Sequence, residues 1–269
     1  MEGSVAIVTG ASRGIGAEIA RSFAAAGAQV VIAARSTSGQ PGRLAGTLEE
    51  TAAAIRAVGG EVLAVPTDLS RPGDREQLVD DALHAFGRVD VLVNNAAIAY
   101  FVPVADFDLS RAHLMFEIQV HASMHLSQLV LPGMRERGRG WICNITSDVA
   151  GHPRVPPSRW GAKGTTTVYG MCKAAVERLS TGLAAEVYND GIAVNALGPS
   201  KVVPTPGTVF HGVTREGDPN SEGPEVMAAA ALALCSGDPK VLSGRIARSQ
   251  DLLAELADQG AESKEAADV

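Results

Sequence analysis

Short runs of Val, Ile and Leu recur along nearly all 269 residues of this chain, separated by longer Ala-rich stretches of helical period. This alternation limits the fold more than any other feature. Parallel strands cannot be joined by a tight turn, so each needs a crossover, and helices serving as crossovers cover both faces of the sheet. Strands are expected at 5–9, 29–34, 61–66, 89–94, 140–147 and 192–197, with a short, weak seventh at 244–248. Helices are expected at 14–26, 47–58, 72–86, 108–137, 168–189 and 222–236. The fold class is therefore α/β, a doubly wound parallel sheet with helices on both faces in a single domain, and its ligands belong at the carboxyl ends of the strands.

Three segments break the rhythm. Residues 36–46 form a Gly/Ser/Pro/Arg loop after the second strand, and 151–167 is a Pro/Gly/Thr-rich stretch containing Trp160. Residues 200–221 are long and irregular, the kind of segment that often closes over an active site. One domain over 1–256 is expected, with 151–167 as a substrate loop, 200–221 as a lid and 257–269 as a flexible tail. No internal repeat is visible.

The composition excludes several partner classes. Hydrophobic residues make up 46% and aromatic residues only 4%, so Ala, Val, Leu and Ile must build the core. A formal charge of −7 repels phosphate backbones and anionic lipid, which argues against nucleic acid or a membrane surface as partner. Cys143, Cys172 and Cys235 are scattered and read as small buried hydrophobes. The N-terminus has no basic n-region or apolar h-region, and no run approaches the ~18 apolar residues of a membrane span, so a cytoplasmic location is expected. His121 and His125 stand at i and i+4, but no third ligand or activating acid accompanies them, so no metal is expected.

Thr9-Gly10-Ala11-Ser12-Arg13-Gly14-Ile15-Gly16 lies between the first strand and the first helix. It spells GxxxGxG rather than GxGxxG. The physics is the same: glycine allows a tight turn and close backbone approach, and the helix start offers unpaired N–H groups to a pyrophosphate. A plain glycine-rich turn is the bland alternative. With a strand before it and a helix after it, the motif gives the doubly wound sheet a Rossmann-like reading. Where an NAD site usually places an acid, the second strand ends in Ala34-Arg35-Ser36. Arg35 and Arg13 are suited to a 2′-phosphate, so NADP(H) is expected in preference to NAD(H), although either residue could be an ordinary solvated Arg. Asp68, in Thr67-Asp68-Leu69, could meet an adenine amino group or cap the following turn.

Tyr169 and Lys173, at i and i+4, share a helix face. A phenol of pKa about 10 is roughly 0.1% ionised at pH 7, so an adjacent ammonium that lowered it would make it a usable acid/base. The YxxxK spacing is weak evidence alone. Ser147 closes the fifth expected strand at the ligand edge, and the Asn94-Asn95 amides can brace backbone beside a cofactor or merely satisfy turns.

Together these motifs resemble the short-chain dehydrogenase/reductase family, which shows TGxxxGIG at 9–16, NNA at 94–96, Ser147, YxxxK at 169–173 and Val194-Asn195-Ala196 with Pro199 in this order. The resemblance implies an NADP(H)-dependent carbonyl reductase or secondary alcohol dehydrogenase, a ketoreductase in the broad sense. Tyr169 is then the general acid/base, Ser147 orients the substrate oxygen, and Lys173 binds the nicotinamide ribose and lowers the Tyr169 pKa. It also implies cofactor contacts from Gly10, Ser12, Arg13, Gly14, Ile15, Gly16, Arg35, Asp68, Leu69, Asn95, Tyr169, Lys173, Val203 and Thr205. A homodimer or homotetramer paired through the fourth and fifth expected helices follows from the same resemblance, as does a small-molecule carbonyl or alcohol substrate. The chain departs from the pattern at four places. Gln119 stands where the family's catalytic Asn is expected, Ala97 and Ser200 replace glycines, and the Ser147–Tyr169 interval is lengthened, so an insertion within 151–167 should bring Trp160 or His152 near the substrate. A fold-preserving sensor or scaffold without turnover is the competing class.

Overall fold

The computed structural model of the protein describes residues 1–157 and 165–267. Seven strands form one sheet in the order β3-β2-β1-β4-β5-β6-β7: β1 Val5–Thr9, β2 Gln29–Ala34, β3 Val62–Pro66, β4 Val91–Asn94, β5 Gly140–Ile145, β6 Ile192–Gly198 and β7 Ile246–Arg248. Every pairing is parallel. The strand order reverses between β1 and β4, and there Val8 pairs with both Ile32 and Val93. This is the switch point at which doubly wound sheets open a crevice.

The helices are α1 Gly14–Ala25, α2 Leu48–Ala57, α3 Pro72–Phe86, α4 Leu109–Phe116, α5 Ala122–Arg137, α6 Thr167–Val187, α7 Pro206–Phe210, α8 Pro224–Ser236 and α9 Ser249–Ala267. Alternate strand residues face opposite layers, as the pleat requires. Ala6 and Val8 join Ile19 and Phe23 of α1 and Met227 and Leu234 of α8. Ile7 and Val31 join Leu78 of α3, Leu126 and Met134 of α5, and Val187 of α6. Burial on both faces explains why the strands read as continuous apolar runs rather than alternating ones. Each large aliphatic side chain buried in these layers contributes about 1.5–3 kcal/mol.

Four expectations need correction. The fifth strand ends at Ile145, so Ser147 lies in the turn beyond it. The expected helix 108–137 is interrupted by a π-helical segment, Glu117–His121, in which one extra residue is accommodated within the helix. The 200–221 lid contains α7, started by a Thr205 capping box with Thr208 and by Pro206 at its first turn. No helix is expected beyond 236, but Ser249–Ala267 forms α9, rich in the strong helix formers Ala, Glu and Lys.

Buried amides hold the sheet to its helices. Asn94 Nδ2 on β4 donates to Asn144 Oδ1 on β5 (2.8 Å), and Asn144 Nδ2 donates to Ser180 Oγ on α6 (2.9 Å). Asn195 on β6 bonds Leu242 O and receives the Arg245 N–H, fixing the approach to β7. The lid's far end is tied down by Glu222, which accepts from Ser249 Oγ (2.6 Å) and Gln250 Nε2 (2.8 Å).

Candidate active site

The β1–α1 turn is shaped by its glycines and their neighbours. Gly10 (φ +66°) and Gly14 (φ +56°) adopt left-handed backbone that other residues resist. A Cβ on Gly10 would lie 2.7 Å from Ala96 Cα, and one on Gly14 would lie 3.0 Å from Thr205 Cγ2. The turn is thereby pressed between the end of β4 and the start of the lid. Asn95 Nδ2 donates to Thr9 O (2.9 Å) and Gly10 O (3.2 Å), and Thr9 Oγ1 accepts from Asn95 N (3.0 Å). Ile15 packs against the core and Gly16 is buried under Asn95. The α1 N-cap residue, Arg13, makes no side-chain cap and the first turn holds no acid, so the helix start is left ready for an anion.

Arg13 Nη2 donates to Ser36 Oγ (2.6 Å) and Gly46 O (3.0 Å), and its Nε to Ser12 Oγ (3.4 Å), so it holds the 36–46 loop in place. Burial and the neighbouring Arg35 both lower its guanidinium pKa. Arg13 and Arg35 repel each other at the end of β2, with Glu50 offsetting part of the effect on Arg13, and such a pair suits an anionic ligand. Asp68 Oδ1 accepts from Ser70 N and Ser70 Oγ, making it a turn-capping residue. Burial pushes its carboxyl up, but the Ser70 bonds with Arg35 and Arg71 outweigh that and hold it below the ordinary value. Leu69 is buried, and its carbonyl accepts from Arg75 Nε (2.7 Å).

Lys173 and Tyr169, on α6, pack at the carboxyl end of β5, and Ser147 follows that strand. Ser147 has extended backbone and opens a 3₁₀ turn, Asp148–Ala150. Gly170 lets α6 settle on that turn, because a Cβ there would lie 2.5 Å from Val149 O. The helix that carries Tyr169 and Lys173 is thereby seated against the turn that Ser147 opens. Lys173 is buried; its Nζ donates to Ile145 O (2.9 Å) and lies 5.5 Å from the Tyr169 ring centroid. Burial pushes Lys173 down to about 8. It also pushes Tyr169 up to about 12, with Cys172 adding to the rise. The expected lowering of Tyr169 by Lys173 is thus reversed, because desolvation of the phenol outweighs an ammonium directed at a backbone carbonyl.

Gln119 sits inside the π-helical segment, buried, with Nε2 donating to Ile98 O (3.0 Å). Its Oε1 is buried with no partner among the described residues. The segment is anchored by Glu117, which pairs with the buried Arg75 and accepts from His121 (2.8 Å). Arg75 therefore joins the Leu69 carbonyl to the Gln119 segment, a long-range link with no local sequence signal.

A run of rings joins Tyr169 to the 200–221 segment. Phe101 stands edge-on to Tyr169 (centroids 5.7 Å apart) and to His211 (5.1 Å), and Phe210 stands edge-on to His211 (5.1 Å). Arg43, from the 36–46 loop, lies 4.5 Å from the Phe210 centroid. Burial and Arg43 lower the His211 pKa, favouring a neutral imidazole. Phe101 and Arg43 escaped notice in the sequence, since neither stands in a motif. Thr205 Oγ1 accepts from Thr208 N (3.2 Å), and Val203 O accepts from Thr208 Oγ1 (2.7 Å), so both serve the start of α7. His152 is exposed, and Trp160 lies outside the described residues.

A glycine turn feeding an uncapped helix at a switch point fits a dinucleotide pyrophosphate, and acid/base side chains one strand away place the molecule among dinucleotide-binding oxidoreductases. Comparison with known proteins narrows this. A family profile described as short chain dehydrogenase matches residues 4–210. The 7alpha-hydroxysteroid dehydrogenase of Escherichia coli K12 is 33% identical over 257 residues, covering 91% of this chain and 92% of that protein. A crystal structure of 7alpha-hydroxysteroid dehydrogenase with NADH and 7-oxo glycochenodeoxycholic acid superposes with a TM-score of 0.79 at 30% identity, covering 92% of each chain. A metagenomic short-chain oxidoreductase in complex with NADP superposes with a TM-score of 0.74 at 28% identity, covering 92% of this chain and 98% of that one. The chain belongs to the short-chain dehydrogenase family, and it is an oxidoreductase acting on CH–OH groups. Among the described residues, no helix is long and apolar enough to cross a membrane.

Proposed function

We propose that the protein is an NADP(H)-dependent carbonyl reductase or secondary alcohol dehydrogenase with Tyr169 as its general acid/base. The observation that carries this reading is the close seating of α6, with Tyr169 and Lys173, against the turn that Ser147 opens, which Gly170 permits. A phenol pushed up to about 12 stays protonated near neutrality, as a proton donor to a carbonyl oxygen must. The Ser147 side chain makes no cap bond to the turn it opens and is the candidate to hold that oxygen. Lys173 supplies positive charge behind Tyr169 and is the candidate partner for the ribose hydroxyls. Gln119 offers a buried acceptor in Oε1 for a proton path from Lys173.

The uncapped start of α1, Gly10, Gly14 and Gly16 fit a pyrophosphate, with Ser12, Ile15 and Asn95 shaping the turn. Arg13 and Arg35 favour a 2′-phosphate, while Asp68 and Leu69 border the adenine side and Val203 and Thr205 the nicotinamide side. The nicotinamide supplies or accepts the hydride when bound. Phe101, His211 and Phe210 wall the substrate side with apolar rings, which suits a small uncharged ketone or alcohol.

A homo-oligomer paired across α5 and α6 belongs to the same reading. Between these helices runs a groove of about 610 Å³ lined by Met124, Gln128, Leu131, Leu179 and Leu183.

The test is consumption of NADPH and of NADH by the wild type and Tyr169→Phe across a panel of small ketones, quinones and acyl thioesters. Wild-type turnover, faster with NADPH and at least 100-fold slower in the variant, is expected. Equal rates in both proteins would support the competing sensor or scaffold reading, and preference for NADH would overturn the role given to Arg13 and Arg35.

A further inference from the structure

We infer that Arg248, at the end of β7, is a positioning residue for Ser147; this rests on the catalytic role proposed above for that serine. Arg248 reaches across the carboxyl edge of the sheet from a strand with no part in the site already described. Its Nε pairs with Asp148 Oδ1 (2.8 Å) and its Nη2 approaches Glu177 Oε1 (3.8 Å). Thr146 Oγ1 donates to that same Glu177 oxygen (2.9 Å). The residues on either side of Ser147 are thus held by one guanidinium, Asp148 directly and Thr146 through Glu177. Glu177 stands one helical turn beyond Lys173, so the same contact reaches the helix that carries Tyr169 and Lys173.

Three further observations support the assignment. Gly198 on β6 pairs in register with Arg248, and a Cβ there would fall on Arg248 Nη1, so the glycine makes the guanidinium's path possible. Glu177 is only 15% exposed, so without Arg248 it would keep a charge in poor solvent contact and repel Asp148 across the Ser147 turn. Asp148 is 67% exposed, so its pair with Arg248 adds little to stability, and the arrangement makes better sense as geometry and local charge balance than as a stabilising pair. A lysine could not do the same, because holding two carboxylates at once needs the planar fork of arginine.

Arg248→Gln, Ser147→Ala and the double variant are compared by NADPH-dependent reduction of ethyl acetoacetate, cyclohexanone and phenanthrenequinone, with NADPH affinity and Tm measured alongside. For Arg248→Gln, kcat should fall about tenfold with KM and NADPH affinity within twofold. Adding it to Ser147→Ala should cause no further loss, because it acts through that hydroxyl. Removing the unbalanced charge in Arg248→Gln/Glu177→Gln should recover part of kcat. The Ala150 and Gly151 amides, which bond Ser147 O and Asp148 O, should exchange hydrogen faster in Arg248→Gln. Should Arg248→Gln fail to fold, Arg248→Lys and the exposed-site variant Asp148→Asn take its place, each with a kcat loss of a few-fold expected. If Ser147→Ala loses activity while the Arg248 and Asp148 variants match the wild type, or if the losses multiply in the double variant, the positioning role is overturned. If Ser147→Ala itself matches the wild type, the catalytic reading of Ser147 falls instead.

Discussion

Burial disfavours the charged forms of both Lys173 and Tyr169, and this makes the site's electrostatics measurable without a substrate. Lys173 has its pKa pushed from the ordinary 10.5 to about 8, so the folded protein binds fewer protons than the unfolded chain between those values. Stability therefore rises with pH across that window, by about 1.4 kcal/mol per unit for a fully desolvated group. Tyr169 opposes it above about pH 10, because a phenol pushed up to about 12 ionises more easily when unfolded. From pH 8 to 10, denaturant unfolding should show the wild type gaining ~2–3 kcal/mol relative to Lys173→Met. Parallel pH curves for the two proteins would contradict the assignment. The shared helix face of Tyr169 and Lys173 was legible from the YxxxK spacing. Their pKa directions were not, since desolvation depends on the residues that pack around them. The same applies to Gln119, whose unpartnered Oε1 is visible only once the helix is seen to bulge.

At the scale of elements, the site depends on how closely α6 can approach the turn after β5. Glycine inside a helix usually costs about 1 kcal/mol relative to alanine, so Gly170→Ala should stabilise α6 taken alone. Contact with Val149 O reverses that sign, because backbone cannot yield as a side-chain tip does. Gly170→Ala should lower stability by ~1–3 kcal/mol and kcat by tenfold or more, checked by urea unfolding and steady-state kinetics. A more stable and fully active variant would show that α6 does not need the close approach. Strand centres and most helices were legible because apolar period and Gly punctuation are local signals. The π-helical segment was not, because one inserted residue leaves composition and period almost unchanged. α7 was hidden by its five-residue length, although Thr205-Pro206 with Thr208 spells its start. The Phe101–His211–Phe210 run joins two segments far apart in sequence and leaves no local trace.

For the whole molecule, the alternation that opens the sequence reading sets the layer architecture, and the switch between β1 and β4 sets where a ligand can enter. Both follow from the right-handed crossover rule once the strands are found. The oligomeric state depends on surfaces this fold alone does not fix. Met124 is 42% exposed on a groove that it lines with Leu179 and with the charged Arg135, Arg178 and Glu186, a mixed surface that a second copy of the chain would cover in the proposed pairing. Light scattering should give a dimer or tetramer for the wild type and a smaller species for Met124→Glu. A wild-type monomer would contradict the pairing.

The central claim is that Tyr169 completes hydride transfer between a nicotinamide and a carbonyl carbon at this site. The most direct measurement follows the label: NADPH carrying deuterium at C4 is incubated with the wild type or Tyr169→Phe and a ketone from the panel, and the product is read by NMR. The account predicts deuterium on the alcohol carbon with the wild type and at least 100-fold less with Tyr169→Phe. Equal labelling by the two proteins, or alcohol formed without deuterium on its carbon, would contradict it.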